Sequence, residues 1–322
     1  MTNSKKDIFI ETNKAIDILL EKKEQLLERE YIATLKRIKQ TLANAYEKFG
    51  SDGILTREEM VRYGRLTKFE KYLIEQIHEL TKTQIRITKE SIREIFTESY
   101  YRYGYMIEQE TGIQIYENLT NEEIDQNLYN EFHTIHWDER IKNNNQHLSN
   151  QLRDDIISAL GVGITYAVLS DIISKRFNIG ANKARKIVRT EGRRVQEKAN
   201  LETIKKAKGV LEKYDITIKK QWVSAKDKRF RDTHRHLDGE IVGVDEKFTS
   251  KSGAKALAPR RFGVASEDIN CRCTTITAFF DDNGKRIGAR VMRARNHGDK
   301  QRGVIVPYQR YRDWIKDLDS RK

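Results

Sequence analysis

Proline is absent from the first 258 residues of this 322-residue chain, and the two prolines that occur are Pro259 and Pro307. Proline removes a backbone N–H donor and clashes with the preceding helical turn, so before residue 259 only glycine and local turns are left to end a helix. Charged residues make up 34% of the chain, which is typical of long helices with solvated faces rather than of a compact all-β domain. The sequence therefore predicts a mainly α fold with long helices.

The N-terminal half shows helical periodicity. From residue 4 to 49, apolar residues recur at three- and four-residue spacing with charges between them, which predicts one long helix or two in series. Thr56, followed three residues later by Glu59, predicts the start of the next helix through a capping box. Further helices follow to about residue 112, where closely spaced tyrosines favour packing at core edges over stacking with bases. The polar run NNNQHLSN at 143–150 predicts a turn or a domain boundary.

Residues 151–207 predict three further helices, with GVG (161–163) separating the first two and FNIGAN (177–182) the second and third. The pair that flanks Gly180 resembles a helix-turn-helix in outline, although packed helix pairs with a glycine turn are commoner than helices that insert into DNA. The third helix is strongly basic, since seven Lys and Arg outnumber two Glu between residues 183 and 198.

The pattern changes after Gly209. The short β-branched or alternating segments ITIKKQWV (216–223), EIVGVDEKF (240–248) and CRCTTITAFF (271–280) predict strands. They indicate a small domain, followed by a tail that ends in a short helix anchored by Trp314. The predicted fold class is mainly α, with a long helical N-terminal half plus a small α+β C-terminal domain and a basic tail. The predicted segments are residues 1–145 (helical domain), 146–209 (helical segment with the basic helix), 210–282 (small α+β domain) and 283–322 (basic C-terminal tail).

The net charge of +13 is unevenly distributed. Residues 1–120 carry no net charge, residues 121–180 carry −4 and residues 181–322 carry +17. A basic excess confined to one part of a chain indicates a surface that faces a polyanion, with a merely solvated face as the alternative. The candidate contacts to nucleic acid are Lys183, Arg185, Lys186, Arg189, Arg193, Arg194, Arg290, Arg293, Arg295, Arg302, Arg310 and Arg312.

Two histidines and the only two cysteines form closely spaced pairs, in DTHRHLDGE (232–240) and INCRC (269–273). Thiolates and neutral imidazoles suit tetrahedral Zn²⁺, so the candidate ligands of a zinc site are His234, His236, Cys271 and Cys273. Ligands only two residues apart strain a shared tetrahedron, which favours a metal-free knot of packed turns. In that knot a cysteine is a small core residue, Asn270 caps a turn and Gly239 supplies a positive φ. The sequence predicts no cofactor, with a zinc ion as the alternative.

Several classes of protein are not indicated. Two cysteines separated by one residue make no disulfide framework. The N-terminus lacks the apolar region of a secretory signal, and no apolar run approaches the roughly 18 residues of a membrane span, so we expect synthesis in the cytoplasm. No Walker loop, GxSxG elbow, HExxH motif or dinucleotide fingerprint occurs.

The segment from Trp222 to Cys273 resembles the minor head protein family of tailed bacteriophages, the head-morphogenesis family that includes phage Mu protein F. The resemblance covers about residues 150–280, and RKIVRTE (185–191) is similar to a helical element of that family. Many relatives have two cysteines before LDG, at positions where this chain has Arg231 and His234. The family pattern is carried here by Trp222, Asp227, Arg229, His234, Leu237, Asp238, Gly239, Phe248, Asn270, Cys271, Arg272 and Cys273.

The resemblance implies a non-enzymatic minor capsid protein that is associated with the portal and acts in head morphogenesis and viral genome packaging. Its expected partners are portal, capsid and scaffolding proteins and, through the region of net charge +17, double-stranded DNA bound without sequence specificity. Its expected location is the interior of the phage head in the virion, after synthesis in the cytoplasm of the bacterial host. Two other classes stay open: a metal-dependent nuclease or other DNA-processing enzyme centred on His234, and a DNA-binding protein outside the virion.

Overall fold

The computed structural model describes residues 5–128, 136–224, 231–288 and 309–321. The helices are α1 (Lys5–Phe49), α2 (Arg57–Val61), α3 (Arg65–Thr111), α4 (Asn121–Gln126), α5 (Trp137–Val162), α6 (Tyr166–Leu211), α7 (Ala265–Asp268) and α8 (Tyr311–Ser320). The strands are β1 (Thr217–Val223), β2 (Ile241–Gly243), β3 (Phe248–Thr249), β4 (Lys255–Ala256), β5 (Thr274–Phe280) and β6 (Arg286–Ile287). The fold is mainly α with a small sheet-containing C-terminal region, as the sequence predicts.

The three longest helices, α1, α3 and α6, span 45, 47 and 46 residues. Residues 5–49 thus form one helix rather than two in series. The predicted start at Thr56 is confirmed, because its side chain accepts a hydrogen bond from the Glu59 backbone N–H at 3.3 Å. Gly163 ends α5 with φ 74°, a conformation that glycine adopts without strain. Among the helices that the structure describes, none has the length and hydrophobicity of a membrane span.

The predicted turn at 143–150 is wrong, because these residues lie inside α5. Asn145 is buried, and its amide donates hydrogen bonds to the side chains of Thr81 and Gln84, both at 3.0 Å. The Tyr31 hydroxyl joins the same network, 3.1 Å from Gln84 Oε1 and 3.0 Å from Asn145 Oδ1. Because other side chains satisfy the hydrogen-bonding groups of the Asn145 amide, this polar residue can be buried inside a helix. The polarity of the run therefore does not indicate a turn.

The predicted turn around Gly180 is also wrong, because α6 continues through it. A Cβ atom at Gly180 would lie 3.0 Å from Tyr31 Cε1 and 3.2 Å from Leu148 Cδ2. The missing side chain lets the backbone of α6 approach these two residues closely, at a small cost in helix propensity. Gly180 therefore serves helix packing, and the helix-turn-helix outline does not exist in the fold.

The chain divides into two compact units. The first contains Glu21–Glu90 and Ile135–Arg189, and its described residues are almost entirely helical. The second contains Met1–Leu20, Ser91–Thr134 and Thr190–Lys322, and it includes both sheets.

The larger sheet of the second unit is antiparallel, in the order β2-β1-β5-β6. Strand β1 pairs with β5 over its whole length, from Thr217 opposite Phe280 to Val223 opposite Thr274. Alternate residues of β1 are buried, and this alternation places Trp222 in the core beneath the sheet. The side chains packed together in that core are Trp222, Leu237, Phe248, Ala256, Phe262, Cys271 and Cys273.

Helix α8 packs into the second unit through the predicted anchor Trp314. This side chain is fully buried, and its indole Nε1 donates a hydrogen bond to Glu108 Oε2 at 2.6 Å. Arg321 donates from one guanidinium nitrogen to both oxygens of Glu108, at 2.8 and 2.9 Å. Arg321 thus compensates the charge of the Glu108 carboxylate, which has no exposed surface.

Candidate metal centre

The two histidines of DTHRHLDGE lie in very different environments. They belong to a short 3₁₀ helix, Asp232–Leu237, in which residues two apart point in different directions. His234 is fully buried, with its ring stacked on Phe262 at 5.2 Å between centroids. His236 is exposed, and its Nε2 lies 2.9 Å from the carbonyl oxygen of Thr249.

The two cysteines lie side by side in an extended loop that leads into β5. Alternation along extended backbone turns Cys271 and Cys273 to one side, while Arg272 between them is exposed. The exposed fractions of Cys271 and Cys273 are 7% and 3%, and neither thiol is in a disulfide bond. Asn270, with φ 59°, makes the left-handed turn that brings the chain out of α7 and into this loop.

His234, Cys271 and Cys273, here called the His234 cluster, bring three ligand atoms together. His234 Nδ1 lies 3.6 Å from Cys271 Sγ and 3.7 Å from Cys273 Sγ, and the three ligand atoms are within 4.8 Å of one another. Hydrogen bonding between the two thiols lowers the pKa of Cys273 to about 6 and, together with burial, raises the pKa of Cys271. The fourth candidate ligand, His236, is not part of the cluster.

Glu267, which the sequence analysis does not single out, supports His234 from the other side of the ring. Its Oε2 lies 2.7 Å from His234 Nε2, an ion-pair distance without the alignment of a hydrogen bond. Burial works against the charged carboxylate, but hydrogen bonds from Ser252 (2.6 Å) and Thr233 (2.8 Å), with His234 nearby, outweigh it and lower the pKa of Glu267. Glu267 is 2% exposed, so the cluster has a buried, ionised neighbour.

Arg260 holds the cysteine loop in place. Its guanidinium donates hydrogen bonds to the carbonyl oxygens of Cys271 at 2.9 Å and Cys273 at 2.8 Å. It also lies 3.7 Å from the carboxylate of Glu197, which accepts hydrogen bonds from both Thr274 and Thr275. Burial raises the pKa of Glu197, and the nearby Arg260 opposes that shift. The sequence offers no local sign of this arrangement, since residues 197, 260 and 271 are far apart along the chain.

Four further residues of the family pattern have structural roles. Gly239 has φ 88°, as predicted, and its N–H bonds to the Trp222 carbonyl at 2.9 Å. Asp238 Oδ1 accepts a hydrogen bond from the backbone N–H of Ser224 at 2.9 Å. Leu237 and Phe248 are core residues. Asp227 and Arg229 lie outside the described residues.

The arginines in the basic stretch of α6, residues 183–194, all have partners within their own compact unit. Arg189 forms a bidentate pair with Glu24, at 2.7 and 2.8 Å, and Arg185 lies 3.5 Å from Glu28. Arg193 pairs with Asp17. Arg194 is 2% exposed, and its guanidinium donates to Glu191 and to the Leu128 carbonyl, each at 2.8 Å.

Four other candidate cations have different surroundings. Lys186, Arg310 and Arg312 are exposed and Lys183 is half-buried. Within the described ranges, no carboxylate is at ion-pair distance from any of these four side chains. The other candidates, Arg290, Arg293, Arg295 and Arg302, lie outside the described residues.

Comparison with known proteins gives three matches. The family described as Phage Mu protein F like protein matches residues 150–276. Over 307 residues the chain is 28% identical to Minor head protein GP7 of Bacillus phage SPP1, a match that covers 95% of this chain and 96% of that protein. Over 180 residues it is 37% identical to NAD(+)--arginine ADP-ribosyltransferase EFV of Enterococcus faecalis, which covers 56% of this chain and 36% of that enzyme. No solved structure matches the chain significantly.

Proposed function

We propose that the chain belongs to the phage minor head protein family and is a structural component of a tailed-phage head that acts in head morphogenesis. The observation that carries this proposal is the match to a minor head protein over 95% of this chain and 96% of the relative. Because the two proteins correspond over nearly their whole lengths, the proposal does not depend on one shared domain within unrelated architectures.

We further propose that the chain has no catalytic role. A general base must reach its substrate, and His234 has no exposed surface with which to approach a phosphodiester bond. The ADP-ribosyltransferase name belongs to an enzyme of which the chain covers only 36%. Incubation of the purified protein with labelled NAD⁺ and arginine-containing protein is expected to give no transfer of ADP-ribose. Transfer that depends on this chain would overturn the non-enzymatic assignment.

Contact with packaged DNA is the second part of the proposal. The proposed phosphate contacts are Lys183, Lys186, Arg310 and Arg312, for which the described part of the chain offers no carboxylate at ion-pair distance, and, by charge alone, the four arginines between residues 290 and 302. Lysine and arginine bind phosphates without reading sequence, so affinity should fall steeply as salt rises. The paired arginines of α6 and the buried Arg194 do not belong to this set.

The role in the head is tested on particles. Virions of the phage that encodes this chain should contain it after purification, and it should co-purify with portal or capsid protein from infected cells. A protein that is abundant in infected cells but absent from both purified virions and assembly intermediates would not be a head protein. That outcome would favour a DNA-binding protein outside the virion.

DNA contact is tested by equilibrium binding to a non-specific duplex across a salt series, with Mg²⁺ present and DNA integrity checked on a gel. We expect binding with a steep negative salt dependence and intact DNA. Deleting the whole tail is a poor variant, because it would remove Trp314 of α8 and Arg321, the residue that follows α8, and both donate hydrogen bonds to the buried Glu108. Replacing Arg290, Arg293, Arg295 and Arg302 with Gln keeps α8 and should flatten the salt dependence. An unchanged slope would remove the tail from the proposed contact surface.

A further inference from the structure

We propose that His234, Cys271 and Cys273 together bind one zinc ion, through Nδ1 of the histidine and the two Sγ atoms. Because structural zinc sites are closed by four ligands, a ligand beyond these three would fill the fourth coordination position. The site would be structural, and it stands on the geometry of the His234 cluster whether or not the chain acts in a phage head.

The two sulfur-to-nitrogen distances within the cluster match those of a tetrahedral zinc site. With a Zn–S bond of about 2.3 Å, a Zn–N bond of about 2.05 Å and an angle of about 109°, the sulfur and nitrogen ligands of one ion are about 3.6 Å apart. The observed Sγ to Nδ1 distances are 3.6 and 3.7 Å. Two thiolates and one imidazole are also the ligand types that Zn²⁺ takes in structural sites.

Hydrogen bonding alone accounts less well for the same geometry. A neutral imidazole nitrogen without a proton has one lone pair in the ring plane, so Nδ1 can accept one S–H donor well but not two. The two sulfur atoms are nevertheless at nearly equal distances from it. A cation shared by all three ligand atoms places both sulfurs equivalently, and it compensates the charge of buried thiolates.

The groups around the cluster match what a zinc ligand needs from its neighbours. A histidine that binds a metal usually gives its other ring nitrogen to a carboxylate, which sets the orientation of the ring. Glu267 stands at that nitrogen, 2.7 Å from Nε2, and is itself held by Ser252 and Thr233. Arg260 fixes the two cysteine carbonyls, so both sides of the site are oriented by buried groups.

The ion would join two segments that share little other regular structure. His234 belongs to the 3₁₀ helix before β2, and the cysteines belong to the loop before β5. Strands β2, β3 and β4 have only three, two and two residues, so the sheets alone provide few hydrogen bonds to fix these segments. A metal that binds only the folded arrangement adds its binding energy to the stability of the fold.

The test is the metal content of the full chain, expressed and purified without chelator. Elemental analysis should find about one zinc per chain. Replacing the ion with Co²⁺ should give a thiolate-to-metal charge-transfer band and the visible absorption of a tetrahedral site. His234→Ala, Cys271→Ser and Cys273→Ser should each lose most of the bound zinc. His236→Ala is the matched control, two residues from His234 in the same 3₁₀ helix, and it should keep the wild-type content.

Glu267→Gln provides a second variant that keeps the three ligands and the side-chain volume. Because Glu267 is a positioning residue, its replacement should lower the affinity for zinc by about 10- to 100-fold, measured in competition with a chelating dye. The number of zinc ions bound per chain should not change. Wild-type protein with less than about a tenth of a zinc atom per chain and no cobalt spectrum would overturn the proposal without any variant. Full zinc content in Cys271→Ser or Cys273→Ser, or its loss in His236→Ala, would also overturn it.

Discussion

The basic stretch of α6 and the His234 cluster differ in how closeness along the sequence relates to closeness in the structure. In the basic stretch, four arginines that are close in sequence form ion pairs with four different carboxylates. The pairs are Arg185 with Glu28, Arg189 with Glu24, Arg193 with Asp17 and Arg194 with Glu191. In the cluster, His234 and the cysteines are separated by 37 and 39 residues, and their ligand atoms meet within 4.8 Å.

The difference lies in what each kind of interaction requires. A guanidinium can be neutralised by any carboxylate that a neighbouring helix presents, so a high local charge does not tell whether that charge reaches solvent. A metal site requires several defined atoms at defined distances, which few alternative folds would supply by accident. Convergence of ligands is therefore stronger evidence for function than accumulation of charge.

The largest expected effect concerns the support of the cluster. Arg260→Met should lower the free energy of unfolding by about 3–5 kcal/mol, because it leaves the Glu197 carboxylate, which is 0% exposed, without its cationic partner. Urea denaturation at fixed zinc concentration measures this. The control is Arg235→Met, whose side chain is 70% exposed and which should cost no more than about 0.5 kcal/mol. A similar small loss in both variants would show that the cysteine loop does not depend on Arg260.

An intermediate effect is expected at Lys220, a buried cation held by carbonyl oxygens. Its Nζ donates to Val244 and Leu257 at 2.8 and 2.7 Å, and burial lowers its pKa from 10.5 to about 8. Between these two values the unfolded chain binds the proton more tightly than the folded chain, so this group makes stability rise with pH. The rise should be on the order of 2 kcal/mol between pH 7.5 and 9.5 and should be absent in Lys220→Met.

The measurement is denaturant unfolding of both proteins at the two pH values. Taking the difference between wild type and Lys220→Met removes the contribution of other titrating groups, including the buried tyrosines. If the two proteins respond equally to pH, Lys220 keeps an ordinary pKa and its burial is compensated by a neighbouring charge.

The smallest effects distinguish available charge from paired charge within the basic stretch. Lys186→Gln should weaken binding to duplex DNA slightly and reduce the slope of log K against log salt by about 0.9, because one phosphate contact is lost. Arg189→Gln should leave the slope unchanged and lower the free energy of unfolding by at most about 1 kcal/mol, since its pair with Glu24 is partly exposed. The opposite pattern would mean that the Glu24 pair opens to let Arg189 reach DNA.

The sequence predicted helix ends and strands correctly where residues close together in the chain determine them. The N-cap at Thr56, the helix end at Gly163 and the strands around Trp222 and Thr274 follow from capping, glycine conformation and alternation. The predictions at 143–150 and at Gly180 are wrong because long-range partners decide there. Asn145 is satisfied by Gln84 and Thr81, and Gly180 makes room for Tyr31.

The sequence by itself determined the mainly α class, the change to short strands after Gly209, the family pattern and the two residue types, histidine and cysteine, of the candidate zinc site. Each of these depends on periodicity, spacing or side-chain chemistry, which a linear chain carries. Only the tertiary structure decided that His234 rather than His236 faces the cysteines, that Glu267 and Arg260 support them, and that the arginines of α6 are internally paired. These outcomes depend on which distant carboxylates and carbonyls come within about 3 Å, because hydrogen bonds and ion pairs act only at short range.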